Sequence, residues 1–278
     1  MHFPYFILNA KLRPTSEAAI MISDVGLLRG YGIFDFFPIK GGKAVFQTDY
    51  FDRFYRSAHA LNLDVPIERE QLARQIAQLA AENGEGEGYL KLVLTGGNSA
   101  DGFTPGASNL LLIQHPEVFY PASYFEQGIS LVLQKYERPA PEVKSLNYSN
   151  AIRCRDLLDA RSAIDILYHD GRQVHETSRA NFFIVDQDGS LCTADDELLM
   201  GVTRKQVLDL AADVMPVQVG ALSLAQVACA QEAFITSTTK HVMPVTKLNA
   251  WEIAGKTVGP VTKRLMTLFQ KHLQEQGI

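Results

Sequence analysis

Apolar residues recur at helical spacing twice in the first third of the chain, at Phe51, Phe54, Tyr55 and Ala58 and again at Leu72, Ile76 and Leu79. Each set predicts an amphipathic helix with one buried face. Tyr89–Leu94 and Asn109–Gln114 read as strands, and the long Gly- and Pro-bearing loop from Thr95 to Pro105 lies between them. Long ordered loops are disproportionately functional. Two prolines and a run of aromatics between His115 and Phe125 read as a connection, and Ile129–Leu133 restarts with a strand. Lys144 is expected at the start of a helix that places Ala151, Cys154 and Leu158 on one face. Further on, apolar runs flank Asp170-Gly171 and Asp188-Gly189, and an Asp-Gly pair so placed signals a hairpin. Val207, Leu210, Ala211 and Val214 predict a helix directly after Gly201-Val202-Thr203. The expectation is an α/β (α+β) chain in two domains. A small N-terminal domain spans 1–117, a linker 118–125, and a larger strand-rich domain 126–278, which carries Lys144.

Composition narrows the functional classes. The chain has 278 residues, 46% apolar and 21% charged, with a net charge of −5 and no block of like charges. A nucleic-acid surface is not expected, and a small molecule is the more natural partner. Cys154, Cys192 and Cys229 are an odd number without C-x-x-C spacing, which points to a reducing compartment rather than a disulfide framework. No stretch reaches the length that crosses a bilayer, and Met1-His-Phe-Pro-Tyr5 lacks a basic region followed by a long apolar run. The expectation is therefore a cytoplasmic protein with no membrane partner. No His pair has metal-ligand spacing, so no metal is expected. There is neither a G-x-S-x-G elbow nor a P-loop lysine after Thr95-Gly96-Gly97.

The chemistry gathers in a few segments. Lys144 lies between apolar Val143 and Leu146, and a lysine acts as a nucleophile only after losing its proton through desolvation or a nearby positive charge. Alone it reads as a surface lysine. Glu176, at the end of a hairpin strand, supplies a carboxylate, and Asn181 is placed to brace the turn that aims it. Val202 and Thr203 open a helix after Gly201, where backbone N–H groups and a hydroxyl suit an anion. Thr238 and Thr239 follow the apolar run Ala233–Ile235 and offer further donors. Arg53 offers the paired hydrogen bonds that suit phosphate, although, taken by itself, an exposed pair with Asp49 explains it better. Tyr148, four residues after Lys144, would share its face of a helix. Arg29 sits among glycines that permit close backbone approach. Together with Lys91 on the strand before the long loop, and Arg179 in the turn after Glu176, it is a candidate for a substrate carboxylate. A lysine, a carboxylate and an anion site together outline a place for an aldehyde cofactor with a basic ring nitrogen and an anionic tail, namely pyridoxal 5'-phosphate.

These segments jointly resemble the class IV aminotransferases, the fold-type IV pyridoxal phosphate enzymes. The resemblance runs from Ser23-Asp24 to Pro244. It rests on Asp52-Arg-Phe-Tyr-Arg-Ser-Ala58, Val143-Lys-Ser-Leu-Asn147, Glu176 to Phe183, Gly201-Val-Thr-Arg204 and Ser237-Thr-Thr239. It implies Lys144 as the Schiff-base lysine and proton carrier, Glu176 at the ring nitrogen and Tyr148 at the ring hydroxyl. Arg53, Val202, Thr203, Thr238 and Thr239 would hold the phosphate, with Arg179 beside the cofactor. It also implies a homodimer whose sites are completed by the partner subunit. Lys144-Ser-Leu-Asn147 and Thr236-Ser-Thr-Thr239 look like the D-amino acid branch. Two positions depart from the familiar D-specific pattern: Thr95-Gly96-Gly97 lacks its arginine, and Phe34 replaces a tyrosine at the substrate. Arg29, supported by Lys91, is then expected to take the carboxylate, as in a less common D-transaminase subgroup. The implied reaction moves an amino group between a D-amino acid and a 2-oxo acid, pyruvate or 2-oxoglutarate. The alternatives are a branched-chain L-amino acid aminotransferase and, behind it, an aminodeoxychorismate lyase.

Overall fold

A computed structural model describes residues 3–84 and 86–277. The chain divides into two compact units, one reaching to Val118 and including Val143–Asn147, the other comprising Phe119–Glu142 and Tyr148 onward.

The first unit contains β1 (Tyr5–Leu8), β2 (Lys11–Pro14), α1 (Val25–Arg29), β3 (Gly32–Lys40), β4 (Lys43–Ala44), α2 (Gln47–Ala60), α3 (Arg69–Glu82), β5 (Gly88–Thr95) and β6 (Asn109–His115). Its sheet has the order β2-β1-β6-β5-β3-β4. Along β3 the residues alternate. Ile33, Asp35, Phe37 and Ile39 are buried, while Phe34 and Phe36 on the opposite face are half-buried. The buried row packs against α2, where Phe37 meets Tyr50 and Phe51. Both helices expected from the apolar periodicity are present, and both bury the residues that defined it, with Tyr55 the least covered.

The second unit contains α4 (Ala122–Glu126), β7 (Ile129–Lys135), α5 (Ser149–Arg153), α6 (Arg155–Arg161), β8 (Asp165–His169), β9 (Gln173–Thr177), β10 (Asn181–Val185), β11 (Leu191–Thr193), α7 (Val202–Ala212), β12 (Val217–Val219), β13 (Leu222–Ser223), α8 (Leu224–Ala228), β14 (Glu232–Ser237), β15 (His241–Leu248), β16 (Trp251–Glu252) and α9 (Pro260–Glu275). Its main sheet runs β12-β11-β10-β14-β15-β7-β8-β9-β13. Both Asp-Gly pairs fall between antiparallel strands, β8–β9 and β10–β11. β10 is buried along its whole length, with Phe182, Phe183 and Ile184 inaccessible, as suits a strand covered on both faces. Glu232 closes the start of α9 by accepting the backbone N–H groups of Val261 and Thr262, which supplies the cap that Gly259 cannot.

Two local expectations are corrected. Lys144 does not open a helix. Ser145 forms a bridge with Ile33, Phe34 N donates to Lys144 O at 2.9 Å, and Leu146 N donates to Gly32 O at 3.0 Å. The lysine segment is therefore extended against β3, and the helix begins only at Ser149. These hydrogen bonds also place Val143–Asn147 with the first unit rather than in the larger domain. The connection expected over 118–125 holds the short helix α4, and the units divide between Val118 and Phe119.

Candidate functional site

In the first unit the outer face of the sheet carries the amines. Phe34 on β3 has β5 on one side and the lysine segment on the other. Lys144 Nζ lies 4.7 Å from the centre of the Phe34 ring and Lys91 Nζ lies 5.3 Å from it. Phe36 extends this wall by stacking on Tyr89 at 5.0 Å. Both lysines are half-buried, and burial pulls the Lys91 ammonium below the ordinary lysine range. Lys144 is braced from behind, where its N–H donates to Ser57 Oγ of α2 at 3.3 Å. The amine is thus set over an aromatic surface at the sheet edge by main-chain bonds on one side and a helix on the other.

Arg53 points to the inner face. Its guanidinium meets Asp35 in a buried fork, with Nε to Oδ2 at 3.0 Å and Nη2 to Oδ1 at 2.6 Å. Arg53 is buried rather than exposed, because the helical face that bears it is the face laid on β3. Arg29 ends α1 and is exposed, and its Nε donates to Gly102 O at 3.1 Å. That contact ties it to the long loop, which is itself turned by Asp101. The Asp101 carboxylate accepts from Ser99, Phe103 and Thr104.

In the second unit the strands align a row. Asn181 pairs with Glu176 across β9–β10 and with Thr236 across β10–β14, so the three side chains share a face. The β8–β9 register shifts between Leu167 opposite Thr177 and His169 opposite Val174. That bulge falls beside Glu176 and re-aims the strand end. The Glu176 side chain is buried and tightly held. Oε2 accepts Leu199 N–H at 3.1 Å, and Oε1 accepts Arg138 Nε at 3.0 Å. Arg138 also donates to Pro141 O. Asn181 does not brace its own turn as expected, but reaches across to donate to Leu199 O at 2.8 Å. A Cβ on Gly201 would overlap Asn181 Oδ1, so the loop that leads into α7 lies directly on the row. Val202 and Thr203 then begin α7, both buried.

Around Thr238 and Thr239, the Tyr120 hydroxyl and Thr239 Oγ1 are 3.1 Å apart. Arg179 follows Glu176 by three residues and is 53% exposed, with Nε 3.7 Å from Asp165 Oδ2. Tyr148 precedes α5 and is half-buried. It belongs to the second unit whereas Lys144 belongs to the first, so the helical turn expected to link them is absent.

The residues present fit a phosphorylated aromatic aldehyde. The hydroxyl of buried Thr236 has no hydrogen-bond partner among the described residues, and it lies on the strand that leads into Thr238 and Thr239. A buried hydroxyl ordinarily finds a partner, and a bound group would supply one. Glu176 is a fixed buried carboxylate two strands away, as a basic ring nitrogen requires. Among the described residues no cluster of His, Cys, Asp and Glu has the arrangement of a metal site, and no helix is long and apolar enough to cross a membrane. Sequence reasoning missed Arg138 and Asp35, and of these only Asp35 carried a signal, being a charge in an otherwise apolar strand.

Comparison with known proteins bears on the family and the fold. A D-alanine aminotransferase from Listeria innocua is 29% identical over 276 residues, covering 96% of this chain and 95% of its own. A putative branched-chain-amino-acid aminotransferase from Methanocaldococcus jannaschii is 30% identical over 283 residues, covering 98% and 97%. In fold, the chain is similar to the solved T.th. branched-chain amino acid aminotransferase with pyridoxamine 5'-phosphate. The TM-score is 0.89 at 23% identity, over 98% of this chain and 94% of that one. The family model described as amino-transferase class IV matches residues 32–248, and the chain belongs to that family.

Proposed function

We propose that this aminotransferase exchanges an amino group between a D-amino acid and a 2-oxo acid, pyruvate or 2-oxoglutarate, with Lys144 as the reacting amine. The observation that carries the chemistry is the Glu176 carboxylate, buried and pinned by Leu199 N–H and Arg138. Pyridoxal 5'-phosphate, the cofactor of class IV aminotransferases, supplies an aldehyde that exchanges amines and a ring that takes up the electron pair left at the substrate α-carbon. Glu176 would hold a proton at the ring nitrogen, Tyr148 would bond the ring hydroxyl, and Arg53, Val202, Thr203, Thr238 and Thr239 would hold the phosphate. Lys144 Nζ would take the α-proton and return it one atom away. Phe34 lies beneath that amine and covers it from one side. Arg29, Lys91 and Arg179 are the cations for the substrate carboxylate. Arg179 follows directly on the strand end that fixes Glu176. The active assembly would be a homodimer.

The D-specific reading is supported by Lys144–Asn147, by Thr236–Thr239 and by the D-alanine aminotransferase relative. A branched-chain L-amino acid reading is favoured by the apolar wall of Phe34, Phe36 and Tyr89 and by the Methanocaldococcus relative. The two are separated by mixing holoenzyme with D-alanine, D-glutamate, L-leucine, L-valine and L-glutamate in turn and following the cofactor's visible absorbance. Bleaching by the D-acids alone is expected. Bleaching by L-leucine or L-valine would replace the proposal with the branched-chain one, and pyruvate formed from aminodeoxychorismate would make the protein a lyase.

A further inference from the structure

The long loop between β5 and β6 meets the helix that ends in Arg29 at a second point, at the opposite end of that helix. Asp24 precedes α1 and is fully buried. Its Oδ1 accepts Gly26 N–H at 2.6 Å, inside the first turn of α1. Its Oδ2 accepts the Thr95 hydroxyl at 2.7 Å and Asn109 Nδ2 at 2.7 Å. Thr95 is the last residue of β5 and Asn109 the first of β6. One carboxylate oxygen therefore holds both ends of the loop while the other caps the helix. Main-chain bonds run beside it, from Val25 N to Gly97 O at 3.0 Å and from Ser99 N to Ser23 O at 2.9 Å. A Cβ on Gly26 would stand 2.6 Å from Thr95 Cγ2, so helix and loop are in close contact there.

These contacts close a ring. From Asp24, α1 leads to Arg29. Arg29 Nε donates to Gly102 O in the loop at 3.1 Å, and the loop returns through its two ends to Asp24. A helix of five residues has too few internal hydrogen bonds to hold its own direction, so the contacts at its ends set it. The exposed Arg29 guanidinium is committed along one edge only. Nε is used on Gly102 O, and one Nη1 hydrogen turns to Leu28 O at 3.4 Å. Among the described residues nothing else engages it, and the remaining N–H groups of the fork, on Nη2 and Nη1, are those that meet an anion.

We propose that Asp24 is a positioning residue for substrate recognition: its carboxylate locks α1 to both ends of the Thr95–Asn109 loop and so fixes the guanidinium of Arg29 where a substrate carboxylate is received. This rests on reading Arg29 as a carboxylate-binding residue. Asp24 itself is buried and touches no substrate. An amide in its place keeps the shape and the cap on Gly26 but sets one N–H group against that of Asn109, so the loop parts from the helix there. The loss falls on groups that carry a carboxylate and not on the reactivity of the cofactor.

The test uses holoenzyme and two reagents that bleach its visible absorbance by reacting with the cofactor's aldehyde. Aminooxyacetate carries a carboxylate and methoxyamine does not, so the ratio of their rate constants measures carboxylate recognition alone. Asp24→Asn is expected to lower that ratio by about tenfold, with the methoxyamine rate constant changed less than about twofold. Arg29→Met should lower it as much, and the two changes together no further, because residues that act as a unit do not add. Asp24→Asn combined with Asn109→Asp exchanges acceptor and donor across the same contact and should return the ratio to near the parent value. If Asp24→Asn is too unstable to isolate, Asn109→Ala removes one loop donor and carries the same test, with a loss of at least about threefold. Equal slowing of both reagents by Asp24→Asn would mean general damage to the site and overturn the proposal. An unchanged ratio, or an exchange variant as low as Asp24→Asn, would overturn it as well. Arg29→Met separates the two layers. If it leaves the ratio unchanged, the carboxylate role of Arg29 falls, and this proposal with it. If it lowers the ratio while Asp24→Asn does not, only the role of Asp24 falls.

Discussion

Glu176 shows how much a single carboxylate depends on neighbours distant in sequence. Its two oxygens are committed to a backbone N–H and a guanidinium, both of which favour the charged form. Arg138→Met would leave a buried carboxylate with one donor fewer, at a cost of about 1.5–3 kcal/mol for a hydrogen bond to a charged group. The carboxyl would then shift toward its neutral form and lose its hold on a protonated ring nitrogen. The expected outcome is cofactor affinity reduced by at least about tenfold, read by titrating apoprotein and following absorbance, with a fall in kcat alongside. Unchanged affinity would show that the contact with Arg138 is not needed. Glu176 was legible because the spacing from Glu176 to Phe183 forms a motif. Arg138, between Glu137 and Pro139, has no periodic or motif context, and its role exists only once the chain returns alongside β9.

At the scale of elements, local patterns were read where local forces decide. The amphipathic periods of α2 and α3 and the Asp-Gly turns hold because burial of one face and turn chemistry act within a few residues. The lysine segment was misread because its conformation is set by tertiary bonds to β3. Lys144 and Tyr148 stand four apart, but hydrogen bonds to Gly32 and Phe34 keep the segment extended. The same logic governs the loop before α7. Gly201 has φ −68°, a value open to any residue, so glycine is required there only by the close approach of Asn181. Gly201→Ala should therefore force the loop off the row formed by Glu176, Asn181 and Thr236. Overpacking of this kind costs about 1–3 kcal/mol, expected as a lower urea midpoint together with weaker binding of inorganic phosphate by apoprotein. Gly201→Ala combined with Asn181→Ala should recover the stability but not the loop anchor at Leu199.

At the scale of the molecule, the two-unit division and the mixed α/β character follow from the order of periodic segments, whereas the strand order β12-β11-β10-β14-β15-β7-β8-β9-β13 does not, because non-local pairing leaves no periodic trace. The stability of the whole chain toward acid follows from burial that only the folded structure defines. His241 lies tilted against Phe269 of α9, with ring centres 5.6 Å apart, and has a positive φ of 53°. Desolvation holds its imidazole below the ordinary range, and it does the same to His169 on β8. Each ring is therefore disfavoured as a cation in the fold, and as pH falls the unfolded chain takes up protons first. The stabilising contribution is complete above the unfolded value of about 6.5 and is lost as pH falls through the lower folded values. The urea midpoint should stay level between about pH 7 and 8 and decline below about 6.5. His241→Asn keeps a residue that tolerates the left-handed backbone and removes one titrating ring, so the decline should become shallower. An unchanged slope in that variant would assign the acid limit to the carboxylates instead.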